Sequence, residues 1–245
     1  MGVPTLAFVG CTGGAGTTRL TVETAATLAR DGRSVAVIDA AFGTQGLATY
    51  VEGRLDADVT AVAVGDVPVD NALFEWDIDA DGRVALCPAH APFERLARAK
   101  SAESAQTLER AIEEVAGRYD HVLLDVPPIA SNQAVAAATT AQRRALVVPA
   151  SRRGSDLLPR QQGRLRDIGA PASAVVATRV DGDDGDSGES VEDAAHTVPH
   201  IGPGAPRPLA TDPDSDVAPT VAAMAEELLD VDLGLTFEDD GLFSR

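Results

Sequence analysis

The stretch Gly10-Cys11-Thr12-Gly13-Gly14-Ala15-Gly16-Thr17-Thr18 follows the apolar run Leu6-Ala7-Phe8-Val9 and leads into a helix-compatible segment, Thr18 to Arg30. Glycines in such a turn let backbone N–H groups converge on one point, and the following helix adds partial positive charge at its amino terminus. A loop of this kind binds phosphate. Two other apolar runs, Ser34-Val35-Ala36-Val37-Ile38 and His121-Val122-Leu123-Leu124, each end in an acid, Asp39 and Asp125.

The standard P-loop reads G-x-x-x-x-G-K-[ST], with the lysine on the terminal phosphates and the hydroxyl on Mg²⁺. Gly16 and Thr18 fit the last glycine and the hydroxyl, Cys11 stands at the first glycine with Gly10 before it, and Thr17 stands at the lysine. Cys11 near a helix amino terminus suggests a thiol of lowered pKa. A small residue filling a crowded turn accounts for it equally well. Arg19, next after the loop, could supply it with a cation, but is expected to point outward from the first helical turn.

Thr12 to Thr18 resembles the loop K-G-G-x-G-K-[ST] of the MinD/ParA branch of deviant Walker A ATPases. The resemblance continues along the chain. Val35 to Gly53, with Asp39 and Gly46-Leu47, is similar to the family's first switch region, and Val59 to Leu73 to its helix, Gly-Asp turn and helix. Leu86-Cys87-Pro88-Ala89 resembles its third strand and loop, Tyr119 to Pro128 its Walker B region, and Val147-Val148-Pro149 and Ala177-Thr178-Arg179 continue the match.

This resemblance implies ATP or ADP with Mg²⁺ as ligand. Gly13, Gly14, Ala15, Gly16, Thr17 and Thr18 would surround the phosphates, Arg179 would lie near adenine, and Thr18, Asp39 and Asp125 would face Mg²⁺ and its waters. It also implies a nucleotide-dependent homodimer. Three departures stand against full activity. Thr12 replaces the signature lysine that reaches across the family's dimer, Thr17 replaces the P-loop lysine, and Ala41 replaces the second acid of D-x-D, leaving Asp39 as the one candidate catalytic residue. A hydrogen bond to a charged group contributes about 1.5–3 kcal/mol, so losing one lysine weakens triphosphate binding by about 10- to 150-fold. Weakened binding and slow or absent hydrolysis are therefore expected.

These residues need a scaffold to hold them. Apolar runs at Val84–Cys87, Ala145–Val148 and Ala174–Ala177 alternate with helical stretches near Ser101 to Gly117, Gln133 to Ala141, Leu157 to Ile168 and Pro219 to Leu229. That alternation predicts an α/β fold, a doubly wound, mostly parallel sheet with helices on both faces, of the P-loop NTPase type. One domain is expected over 1–230, with a solvated acidic loop at about 181–190 and a flexible acidic tail at 231–245. The loop's aspartates suggest calcium only if the spacing of a calcium loop is ignored.

Acidic residues outnumber basic ones 38 to 20, for a formal charge of −18, and Lys100 is the only lysine. Bare DNA and anionic lipid are poor partners for such a chain. With 44% hydrophobic residues the chain is composed to fold, and its acidic, lysine-poor surface suits high salt, where the Debye length falls to roughly 3 Å. Arg152, Arg153, Arg160, Arg164 and Arg166 form one basic cluster that could meet DNA phosphates, although the overall charge opposes it. The tail lacks a basic amphipathic helix, which disfavours direct membrane binding. Two cysteines without metal-ligand spacing and no leader ahead of the first strand indicate a reduced, cytoplasmic setting. Two functions fit best: a switch acting through a protein partner in cell division, chromosome partitioning or positioning of cellular machinery, or a scaffold that binds no nucleotide; a third, a metabolic synthase on the same scaffold, lacks a recognisable substrate-binding motif.

Overall fold

The computed structural model describes residues 4–179, 191–202, 208–212 and 215–237. The acidic loop expected at about 181–190, and its calcium reading, lie outside the described residues.

Eight strands form one sheet: β1 (Thr5–Gly10), β2 (Ser34–Asp39), β3 (Phe74–Trp76), β4 (Arg83–Cys87), β5 (His121–Val126), β6 (Arg143–Pro149), β7 (Ala174–Thr178) and β8 (His196–Val198). Their order is β3-β4-β2-β5-β1-β6-β7-β8, parallel throughout except where β3 runs antiparallel to β4. Both borders of the sheet are three-residue strands.

The central strands are apolar without interruption because both of their faces are covered. In β1, Ala7 and Val9 join one core while Leu6 and Phe8 join the other. Helices α1 (Thr17–Arg30) and α7 (Ala218–Leu229) cover the second of these faces. On the first lie α2 (Val59–Ala63), α3 (Phe93–Ala99), α4 (Ala102–Ala116), α5 (Asn132–Thr140) and α6 (Arg152–Asp167). The buried threonines of α1 are satisfied within the helix, since Thr21, Thr24 and Thr27 donate to the carbonyls of Thr17, Leu20 and Glu23, each at 2.9 Å.

Several expected boundaries move. Helix α6 begins at Arg152, five residues ahead of Leu157, because Ser151 caps it by accepting the Gly154 N–H at 3.2 Å. The tail expected to be free from residue 231 is docked over its first seven residues. Asp31 accepts the Gly234 N–H at 2.8 Å, Glu226 accepts that of Leu233 at 2.9 Å, and the Arg30 guanidinium lies over the Phe237 ring at 5.3 Å. Residues 238–245 are outside the described set. No helix among the described residues is long and apolar enough to cross a membrane.

Candidate functional site

Strand β1 ends at Gly10, and the loop to α1 turns over the carboxyl ends of β5 and β6, where Cys11 N–H donates to Val147 O at 2.8 Å. Left-handed backbone at Gly14 (φ 75°) and Gly16 (φ 83°) requires glycine there and lets the loop close onto the first turn of α1. Thr178, at the end of β7, ties the loop down by donating its hydroxyl to Ala15 O at 2.7 Å. The result is a cleft of about 400 Å³ lined by residues 12–19, by Ala41, Thr44, Gly46, Thr49 and Tyr50, by Asp125 to Pro128, and by Arg179.

All six loop residues of the expected phosphate cradle line this cleft, as do Asp125 and Arg179. Asp39 does not reach the wall. It stands directly beside Asp125 in the β2/β5 register, fully buried, and accepts backbone N–H groups from Ala41 at 2.8 Å, Ala89 at 3.3 Å and Leu47. Its fixed task in the folded chain is to hold the loops after β2 and β4. Thr18 donates its hydroxyl to Asp125 Oδ2 at 2.5 Å. Among the described residues no group of three or more His, Cys, Asp or Glu side chains forms a metal cage. Thr18 and Asp125 on the wall, with Asp39 directly behind, make an all-oxygen set suited to a magnesium ion that keeps waters and takes its other ligands from phosphate.

Burial drives both carboxyls above their ordinary value of 3.8, and the charge of Asp125 pushes Asp39 further, up to about 8, against its backbone hydrogen bonds. A carboxyl that holds its proton more tightly when folded destabilises the fold as it ionises, so stability falls as pH rises from 3.8 towards the raised value. Asp125→Asn should flatten that fall. We expect the variant without ligand to melt about 3 °C or more above the parent at pH 8, the two converging in acid, in paired calorimetric scans. Identical pH profiles would show that the pair is not strained.

The two threonines at the lysine positions line the cleft with uncharged side chains. Thr12 is buried, and the Thr17 hydroxyl lies back over the loop floor, 2.9 Å from where a Cβ on Gly10 would stand. Cys11 contradicts the thiol-activation reading. Its Sγ faces Gly154 O at 3.6 Å, and burial pushes the thiol up to about 11. Arg19 also departs from expectation, because its side chain is on the cleft wall, only 16% exposed, with Nε donating to Glu23 at 2.6 Å. The i,i+4 spacing of Arg19 and Glu23 was a usable signal for this pair. Tyr50, Thr44 and Thr49 gave no signal of their own.

Of the basic cluster, Arg164 is taken by Ile129 O at 2.7 Å, while Arg152, Arg153, Arg160 and Arg166 are exposed. The site lies elsewhere, at the carboxyl ends of the strands. A second anchoring group was missed in the sequence. Buried Asp58 accepts from Ala61 N, His90 N and Arg95, binding α2, the loop after β4 and α3 together.

Comparison with known proteins agrees with this architecture. The model of the AAA domain family matches residues 3–155. The cell division ATPase MinD of Pyrococcus furiosus superposes with a TM-score of 0.77 at 20% identity, over 92% of this chain and 98% of that one. MinD of Pyrococcus horikoshii, complexed with Mg-ADP, gives 0.75 at 20% identity over 91% and 95%. A ParA family ATPase of Chlorobium tepidum gives 0.75 at 16% identity over 92% and 100%. A search of curated protein sequences finds no match.

Proposed function

The chain belongs to the AAA domain family, with the fold of the MinD and ParA P-loop ATPases, and from that premise we propose that it is a Mg-adenine-nucleotide switch that hydrolyses slowly or not at all. The observation that carries this reading is a cleft with its backbone cradle, hydroxyl and paired carboxylates assembled, but with threonine at both lysine positions and Ala41 at the second acid. Gly13 to Thr18 would hold the phosphates and Arg179 the adenine side, with Thr18, Asp39 and Asp125 around Mg²⁺ and its waters. When bound, Mg²⁺ would supply charge neutralisation. Binding is weakened, because cations that would offset phosphate charge are missing from positions 12 and 17.

Such a protein would act as a regulatory or spatial organiser in cell division, chromosome partitioning or the positioning of cellular machinery. Its output would be a nucleotide-dependent homodimer that engages a protein partner in the cytoplasm. DNA and membrane are disfavoured as direct partners by the −18 charge.

The test is thermal unfolding in molar KCl with and without Mg-ADP and Mg-ATP, paired with phosphate-release kinetics. A ligand at one hundred times its Kd stabilises the folded state by about 2.7 kcal/mol, a rise of about 5–10 °C for a chain of this size. A rise with little phosphate release supports the switch. No rise from a cooperative transition rejects it in favour of a scaffold that binds no nucleotide, and rapid release rejects the slow-hydrolysis half.

A further inference from the structure

A bound nucleotide would bring two or more negative charges into a cleft whose nearest acid, Asp125, is already buried, and whose loop carries no lysine. A side-chain cation on the wall would offset part of that charge. Among the described residues, the cationic side chains on the wall are Arg19 and Arg179. Arg179 is exposed at the end of β7, whereas Arg19 directly follows Thr18 in the first turn of α1, where the helix N–H groups converge.

We propose that Arg19 is the phosphate-binding cation of this cleft, supplying the charge that lysines at positions 12 and 17 would have supplied. The inference rests on the nucleotide reading above and names the residue that makes it work without either lysine. A guanidinium is suited to the task, because its planar fork matches two phosphate oxygens at once and its charge persists at every working pH.

Arg19 is held ready on the wall by Glu23 and by the Tyr50 hydroxyl, which accepts a hydrogen bond from it. Glu23 itself is not left bare when Arg19 turns towards phosphate. Its carboxylate keeps the backbone N–H groups of Leu209 at 3.1 Å and Ala210 at 2.7 Å. The movement would be felt at Tyr50, whose ring meets Trp76 edge-on at 5.8 Å. Trp76 is the only tryptophan of the chain, so its fluorescence reads the cleft.

The experiment is titration of the wild-type chain, Arg19→Gln and Arg19→Lys with Mg-ADP and with adenosine, followed by calorimetry and Trp76 fluorescence. Arg19→Gln keeps an amide donor for Glu23 and should bind Mg-ADP about tenfold or more weakly, with adenosine affinity unchanged. Arg19→Lys, which keeps the charge, should fall between the two. Equal Mg-ADP affinity in wild type and Arg19→Gln overturns the proposal, as does a parallel loss for adenosine, which marks a merely structural role. Should Arg19→Gln lack a cooperative unfolding transition, wild type is titrated with adenosine, AMP and ADP in excess EDTA. Affinity rising with each phosphate supports the proposal, and a flat series overturns it. A wild type that binds none of these ligands takes down the nucleotide reading and this inference with it, a result distinct from a wild type that binds and a variant that binds equally.

Discussion

Thr17→Lys tightens Mg-ATP binding by about one to two decades, read as Kd in calorimetric titration against the parent. The reason is the loop itself. Gly14 and Gly16 already adopt the left-handed backbone that aims N–H groups into the cleft, and Thr178 holds the turn through Ala15. A lysine at 17 starts from the same backbone position as the threonine, on a residue that lines the cleft. Its ammonium needs only the open volume ahead of it to meet a terminal phosphate. An unchanged Kd would mean that the loop does not present phosphate to position 17. Adding Thr12→Lys should leave turnover low, because position 41 still offers alanine in place of a carboxylate.

Gly154→Ala is the second large effect, and it is one of stability. A Cβ at 154 would sit 2.2 Å from Pro149 O and 3.0 Å from Val148 Cγ1, so the first turn of α6 must lift away from β6. Overpacking against backbone costs about 3 kcal/mol, which lowers the melting temperature by about 6–12 °C. The same shift pulls on Cys11, whose thiol rests on Gly154 O at the start of the phosphate loop. Gly163→Ala is the matched control. It lies in the same helix with open space around its added carbon, and should stabilise the chain by about 0.5–1 kcal/mol. Two variants moving in the same direction would disprove the close approach at 154.

Strands β1, β2 and β5 were legible as continuous apolar runs because burial on both faces demands it. The phosphate loop was legible because glycine does a backbone task there that no other residue does as well. What the sequence could not carry is adjacency. That Asp39 stands beside Asp125 depends on β2 and β5 being neighbours, a matter of strand order, and from it follows the push that Asp125 adds to the rise that burial already gives Asp39. The first turn of α6 was missed because Arg152-Arg153-Gly154 is polar with a glycine, and its helical signal is a single capping serine. Arg19 was misread as facing outward. The acid four residues on was visible, but Glu23 is buried only because Leu209 and Ala210 return from the far end of the chain to cover it. Strand β3 is too short for any periodicity to register.

The short borders of the sheet set a limit on how this protein can self-associate. An exposed strand edge is a template on which a second chain can add its own backbone, the route by which folded proteins stack into fibrils. Here β3 and β8 present three residues each among the described residues, and Glu75 places a charge in the middle of β3. Few free amides remain for such a template. Contacts between copies of this chain would then rest on side chains, and an assembly of that kind can be broken or reinforced one residue at a time.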